Sequence, residues 1–439
     1  MSFFTVTHNS KKSRARLGTI TTDHGTVQTP AFVPVGTKGT IKGLPQQFIS
    51  DLHIQLSFVN TYHLVTHPGV DVLSNAGGIH SMANYSIPLM SDSGGFQVFS
   101  LAQRQRKEND KLQMTNLKSN SNSQLPNNTK RTAGIRGDEE PLVEKIDEDG
   151  VTFRSVFDGQ KIVFTPESSM DFQVAIGADI NMAFDECTYY PATHEYTKKA
   201  MERTHRWLER CIKHRATDSV TALLPASAPL TFVKDARVSG SPSARVTCCT
   251  QNQYLYGIIQ GGMYEDLRKK SAEFVASLAT PGVAIGGVSV GETKEEMRNQ
   301  VAWVAPYLPS DRPVHLLGVG QVDDIVDLVK HGIDTFDCVE PTRVARMGVV
   351  YRLKEVLAYC DGSHSPYEFE ITKNVYRADL SKLDDTCTCM VCSTYTKAYI
   401  HHLFKQRELL GYTLLSYHNL WVMERLMEYI RNLIQSDRM

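Results

Sequence analysis

Short apolar runs, each ending in glycine or a polar residue, recur along the chain. They are Ser57–Tyr62, Pro88–Ser93, Asp179–Asp185, Tyr256–Gln260, Gly282–Gly286, Pro313–Gly318 and Gly332–Asp337. Each has the length of a strand and is apolar enough to be buried on both faces, as in a parallel sheet. Helix-like stretches lie between several of them: Thr197–Lys213, Tyr264–Leu278, Lys294–Tyr307 and Val322–Lys330. This alternation predicts an α/β fold, a (β/α)8 TIM-type barrel, in which polar residues just past the strand C-termini carry the chemistry. A doubly wound open sheet is the runner-up; no Gly-x-Gly-x-x-Gly follows the first strand, which counts against it. Two stretches break the pattern and read as surface insertions, at about 108–141 and 216–250. The first contains the Asn/Ser-rich run Asn120–Asn128, too polar to bury a core of its own.

The C-terminal part follows a different pattern. Cys387, Cys389 and Cys392 stand in a Cys-x-Cys-x₂-Cys run, with His418 well downstream. This spacing predicts a closed, structural zinc site, one Zn²⁺ per chain; a catalytic zinc is less favoured because protein fills all four positions. His401 and His402 fall on an expected helix, Thr394–Leu410, about 13 Å or more beyond Cys392 and out of reach. An extended return over Tyr412–Tyr417 is expected to bring His418 back, with Asn419 capping a last helix Leu420–Ile434. The expected organisation is a catalytic barrel over 1–380 and an inserted C-terminal zinc-binding subdomain with its final helix over 381–439.

Composition narrows this picture. The 439 residues carry a net charge of −1, so nucleic-acid binding requires a local basic patch. The nine cysteines form no even framework, which favours a reducing compartment. No segment reaches the ~20 apolar residues of a membrane span, and no signal peptide is apparent, so a soluble cytoplasmic protein with no membrane partner is expected.

Three aspartates stand at strand ends: Asp92 before Ser93-Gly94-Gly95-Phe96, Asp185 before Glu186-Cys187, and Asp337 before Cys338. Alone, each reads as a cap or turn residue. Converging on one barrel mouth, two of them can break a glycosidic bond, one as nucleophile and one handling the leaving group's proton. A third can read a donor-rich base edge. The pairs Gly94-Gly95, Gly261-Gly262 and Gly286-Gly287 allow backbone to approach a flat ligand, Gln260 offers an amide to it, and Phe96 a stacking face.

These residues together resemble the tRNA-guanine transglycosylases of queuosine biosynthesis. The resemblance covers the chain apart from the two insertions. Its segments are Ser91–Gln97, Asp149–Ser155, Phe184–Cys187, Gly257–Gly262, Gly286–Glu292, Gly332–Cys338, Pro341–Arg343 and the cysteine run. It implies a (β/α)8 barrel with a zinc subdomain, acting on tRNAs with a GUN anticodon (Asp, Asn, His, Tyr). Guanine at the wobble position would be exchanged for a 7-deazaguanine base through a covalent aspartyl-ribose intermediate. It implies Asp337 as nucleophile and Asp92 as general acid/base. Asp185, Gln260, Gly287, Ser93, Cys187, Val288 and Leu317 would bind the base, with Phe96 stacking on it. Arg343 and Arg346 would contact the tRNA, and Cys387, Cys389, Cys392 and His418 would hold zinc. Cys187 and Val290 resemble the bacterial pattern, which implies 7-aminomethyl-7-deazaguanine rather than queuine. Leu317 stands where the family usually has Met, and Val288 where it has Leu. The family also implies a homodimer. A non-catalytic partner subunit would have lost the acids, a glycosidase has no use for the zinc run, and a zinc hydrolase would need ligands at the mouth.

Overall fold

The computed structural model describes residues 2–95, 142–155, 159–218 and 252–439. Both expected insertions fall largely outside these residues, as does Phe96. Eight parallel strands form the centre: β1 (Ala31–Pro34), β2 (Ser57–Val59), β3 (Leu89–Ser91), β4 (Ile180–Met182), β5 (Tyr254–Ile259), β6 (Gly282–Ile285), β7 (Val314–Leu316) and β8 (Thr335–Cys338). Each pairs with its sequence neighbour, and β8 pairs with β1, placing Asp337 opposite Val33. The bridge between Val35 and Phe58 brings β1 to β2 and closes the barrel. The apolar runs anticipated seven of the eight strands. The missed one, β1, is four residues with Pro30 before it and Pro34 at its end, too short and too proline-flanked to stand out.

The strands are apolar on both sides because both sides are covered. Phe58, Met90, Met182, Ile258 and Ala284 fill the interior together with Phe4, Ile20 and Val27. The last three come from an antiparallel sheet (Phe4–Asn9, Arg16–Thr22, Gly25–Thr29) that closes the N-terminal end of the barrel. Val59, Leu89, Val283, Ile285, Val314, Leu316 and Phe336 belong to the outer cluster, packed beneath the helices. Asp179 pins the closing sheet in place. Its carboxylate meets His24 at 2.9 Å, accepts the Leu89 N–H at 2.9 Å and lies 3.4 Å from His80 Nε2. Both His80 nitrogens also face carbonyl oxygens at 3.1 Å, Nδ1 that of Gly177 and Nε2 that of Ile87.

Helices α1 (Pro166–Ile176), α2 (His194–Asp218), α3 (Glu265–Ser277), α4 (Lys294–Val304) and α5 (Val322–Leu328) form much of the outer layer. Capping boxes start α1 at Thr165 and α4 at Thr293. A second antiparallel sheet (Leu142–Ile146, Val151–Arg154, Lys161–Phe164) stands between β3 and α1, its Phe164 ring against Gly94.

After β8 come α6 (Glu340–Arg346), the short α7 (Met390–Thr394), α8 (Lys397–Gln406) and α9 (Leu409–Gln435). The expected extended return to His418 is not present. The chain reverses at Arg407, which takes a left-handed conformation (φ 57°), and returns as helix from Leu409. Ten residues up α8 and ten back down α9 cover about the same 15 Å, so a helix brings His418 home as well as a strand would. Asn419 is therefore not a cap. It is buried within α9, donating to the Pro341 and Val349 carbonyls and accepting the Tyr351 N–H at 3.0 Å. Further along, α9 packs on β1, and Arg431 donates to the Pro30 carbonyl at 2.7 Å. No described helix is long and apolar enough to cross a membrane.

Candidate active site

The C-terminal ends of six successive strands supply the site. Asp92 follows β3, Asp185 lies three residues past β4, and Gln260 follows β5. Gly286 and Gly287 follow β6, Leu317 follows β7, and Asp337 stands within β8. All three aspartates are buried.

Asp92 is enclosed by donors. Its carboxylate accepts the Asn60 amide, the Thr61 N–H at 2.6 Å and the Gly94 N–H at 3.2 Å. Asp185 accepts the Ser93 hydroxyl at 2.8 Å on one oxygen and the Gln260 amide at 2.7 Å on the other. Burial pushes its carboxyl up to about 6 against those two bonds, and the charges of Asp92 and Glu186 push the same way. Asp92, Ser93, Asp185 and Gln260 thus form one cluster. The Gln260 carbonyl oxygen is buried with no hydrogen-bond partner among the described residues. An unpaired buried acceptor of this kind is costly unless a ligand donor meets it.

Gly287 borders the same space. Its φ is +61°, and a Cβ there would lie 2.2 Å from the Gln260 oxygen, so the position requires glycine on both counts. Arg268, on α3, holds this wall from behind. Fully buried, it donates to the Gly262 carbonyl at 2.8 Å, to those of Gly286 and Gly287 at 2.6 Å each, and to Gln300. Burial lowers its pKa to about 10, which still leaves it charged at neutral pH. Glu292 holds the next stretch, accepting the Ser289 and Val290 N–H groups. Cys187 and Val288 are buried nearby in the chain's loops, and burial raises the Cys187 thiol well above its usual range, keeping it neutral. Leu317 is half-buried against the barrel interior.

Asp337 is oriented on one side only. Its Oδ1 accepts the Gly318 N–H at 2.8 Å and His315 Nε2–H at 3.2 Å, while Oδ2 has no hydrogen bond among the described residues. The fully buried His315 is oriented in turn by the Thr335 hydroxyl, 2.9 Å from Nδ1. With a carboxylate at Nε2, that ring nitrogen carries the proton and Nδ1 accepts. This leaves one oxygen fixed and the other available to a substrate. On α6, Arg343 is exposed, and its side chain has no hydrogen bond or ion pair among the described residues. Arg346 is half-buried and donates to the Thr342 carbonyl.

Cys387, Cys389, Cys392 and His418 converge as expected, all buried, with ligand atoms within 4.8 Å of one another. His418 Nε2–H donates to the Tyr351 carbonyl at 2.8 Å, which leaves the Nδ1 lone pair facing the sulfurs at 3.4, 3.4 and 3.8 Å. A tetrahedral zinc with usual Zn–S and Zn–N bonds would set this separation at about 3.6 Å. The donor set therefore fits a closed structural Zn²⁺, with the Tyr351 carbonyl fixing the histidine tautomer. His401 is spent elsewhere, on the Ile371 carbonyl at 2.8 Å.

Sequence reading missed Asn60, Arg268, Glu292 and His315. Asn60 and His315 lie at or near the ends of predicted strands and could have been weighed with the aspartates. Arg268 sits in the charged run Glu265-Asp266-Leu267-Arg268-Lys269-Lys270, and nothing local separates it from its solvated neighbours.

Comparison with known proteins bears on this arrangement. The family model described as queuine tRNA-ribosyltransferase matches residues 10–129 and 139–439. A queuine tRNA-ribosyltransferase of Ruminiclostridium cellulolyticum is 40% identical over 429 residues, covering 98% of this chain and 93% of that protein. Relatives of the same name from Halalkalibacterium halodurans (39%; 98% of this chain, 91% of the relative) and Herpetosiphon aurantiacus (38%; 100% and 90%) match along similar lengths. With a tRNA-ribosyltransferase model and relatives spanning nearly its whole length, the chain belongs to the queuine tRNA-ribosyltransferase family of pentosyl-transferring enzymes.

Proposed function

We propose that the protein exchanges guanine at the wobble position of GUN-anticodon tRNAs for 7-aminomethyl-7-deazaguanine, a step of queuosine biosynthesis in the cytoplasm. The observation that carries this reading is Asp337, fixed through Oδ1 with Oδ2 unbonded among the described residues, on the same barrel end as the donor-and-acceptor cluster around Asp185. Oδ2 attacks C1′ of the ribose as the bond to guanine breaks, and Asp92 delivers the proton the leaving base needs. The incoming base surrenders a ring N–H proton to Asp92 and displaces Asp337, restoring the starting configuration. Asp185 and Gln260 read the base edge, the Gly287 backbone lies along it, and Phe96 stacks on it. Ser93, Cys187, Val288 and Leu317 complete the pocket. Arg343, exposed on the helix that follows Asp337, and Arg346 bind the adjoining tRNA. The zinc supplies only a cross-link. Val290, in the bacterial pattern with Cys187, narrows the pocket and favours the small aminomethyl group over queuine.

The direct test is base exchange on a GUN-anticodon tRNA, with 7-aminomethyl-7-deazaguanine and queuine as rival acceptors. Incorporation of the first is expected; preferential use of queuine would overturn the base assignment, and use of neither the reaction. A pH profile adds a second check. Asp185 must be ionised to accept two N–H groups, and its pKa of about 6 sits above the usual carboxylate range. Guanine affinity is therefore expected to be level above pH 6 and to fall about tenfold per unit below it. Titration calorimetry showing constant affinity down to pH 5, or an Asp185→Asn variant that binds normally, would refute this role. We also infer a homodimer, with the exposed Leu380, Tyr399, Leu409 and Leu410 around the zinc segment at its contact; a monomer in sedimentation at working concentration would contradict it.

A further inference from the structure

A second cavity lies one backbone layer from the base cluster. It is a half-open cavity of about 200 Å³, lined by residues of the loops after β4, β5 and β6, by Thr197 of α2 and by Glu296 and Gln300 of α4. Gly262 and Gly287 both border it, with φ of +54° and +61°. Gly287 also borders the base cluster, through its contact with Gln260. The partition between the two spaces is therefore bare backbone, anchored by the Arg268 guanidinium.

The lining has the chemistry of a site for a planar heterocycle. Tyr189, Tyr190 and Tyr264 offer ring faces. The Tyr264 hydroxyl is committed to the Ala192 carbonyl at 2.8 Å, and that of Tyr190 rests on the Glu296 carboxylate at 3.3 Å, so both rings are oriented. Glu296 Oε2 is held by Thr293 in the capping box of α4, which leaves Oε1, beside the Tyr190 hydroxyl, as an acceptor for ring or amino N–H groups. A cavity of about 150 Å³ is enough to take up benzene, so this one has room for a flat ring molecule.

We propose that this cavity is a holding site for the free base, used by guanine on leaving and by its replacement on arrival. The proposal rests on the exchange reaction set out above. While the ribose is bonded to Asp337, tRNA lies across the mouth, and one base must depart and another arrive without water reaching the ester. A site bordering the base cluster at Gly287 lets a free base dock beside its place at Asp185.

Ala192→Trp would fill the cavity without removing any group that holds the wall, and Tyr190→Ala would remove a stacking face. Equilibrium dialysis of labelled guanine against the tRNA-free enzyme should show two molecules bound per chain in the wild type and one in Ala192→Trp. In Tyr190→Ala the second site should weaken about fivefold or more, the usual effect of losing a base-stacking ring. In exchange assays both variants should raise the KM for free guanine while forming the covalent tRNA adduct at the wild-type rate, which also shows that they fold. Single-site binding by a wild type that forms the adduct, or unchanged KM in both variants, overturns the holding site alone. A wild type that forms no adduct overturns the exchange reaction and this proposal with it.

Discussion

Asp337→Asn is expected to abolish the covalent tRNA adduct and lower base exchange by about 10⁴-fold or more, the scale seen when a nucleophile is removed. The geometry makes this a clean test. The amide oxygen of asparagine can still accept the Gly318 N–H and the His315 Nε2–H, so the side chain keeps its place. The group it loses is the unbonded oxygen, replaced by an NH₂ with no charge and no lone pair to offer. Melting should be nearly unchanged. Adduct trapping on a denaturing gel, beside incorporation of labelled guanine, separates loss of chemistry from loss of tRNA binding. Wild-type incorporation by the variant would exclude Asp337 as nucleophile. Asp92→Asn need not behave the same way, because it impairs proton delivery and leaves the attacking oxygen in place.

His418→Ala is expected to cost the metal and much of the fold. Structural zinc sites contribute their binding free energy to folding, and with the imidazole gone three buried sulfurs would face one another without a matched cation. A loss of about 4 kcal/mol would lower the melting midpoint by roughly 4 °C in a chain of this size. The damage has a path toward the tRNA side as well. His418 and Asn419 are neighbours on α9, and their bonds to Tyr351, Val349 and Pro341 fix the strand after α6 and the first turn of α6 itself. Arg343 is on that helix. Reduced tRNA affinity is thus expected in whatever fraction stays folded, with turnover per bound tRNA preserved. Elemental analysis of the wild type should find one zinc per chain; active protein without metal would sink the four-ligand assignment.

What was legible beforehand follows from where each signal resides. Strands covered on both faces announce themselves as apolar runs, and the aspartates are visible because they interrupt or end such runs. The cysteine spacing is visible because Cys387, Cys389 and Cys392 are adjacent in sequence. The path to His418 was not legible, because it depends on one left-handed residue, Arg407, and no glycine marks the turn. Gly411, just past the expected helix end at Leu410, lies inside α9. Arg268 was invisible for a different reason. Its partners are carbonyls on loops after β5 and β6, and a backbone carbonyl leaves no trace in a sequence.

The bond from Arg431 to the Pro30 carbonyl joins residues 401 positions apart. At about 5 to 20 residues per second of synthesis, β1 waits roughly 20 to 80 s on the ribosome before the helix that covers it exists. His418 also emerges late, so three thiols are exposed before their fourth ligand is made. The outer face of β1 is therefore uncovered for most of synthesis, and the helix that comes to cover it also carries the fourth ligand of the cysteine cluster.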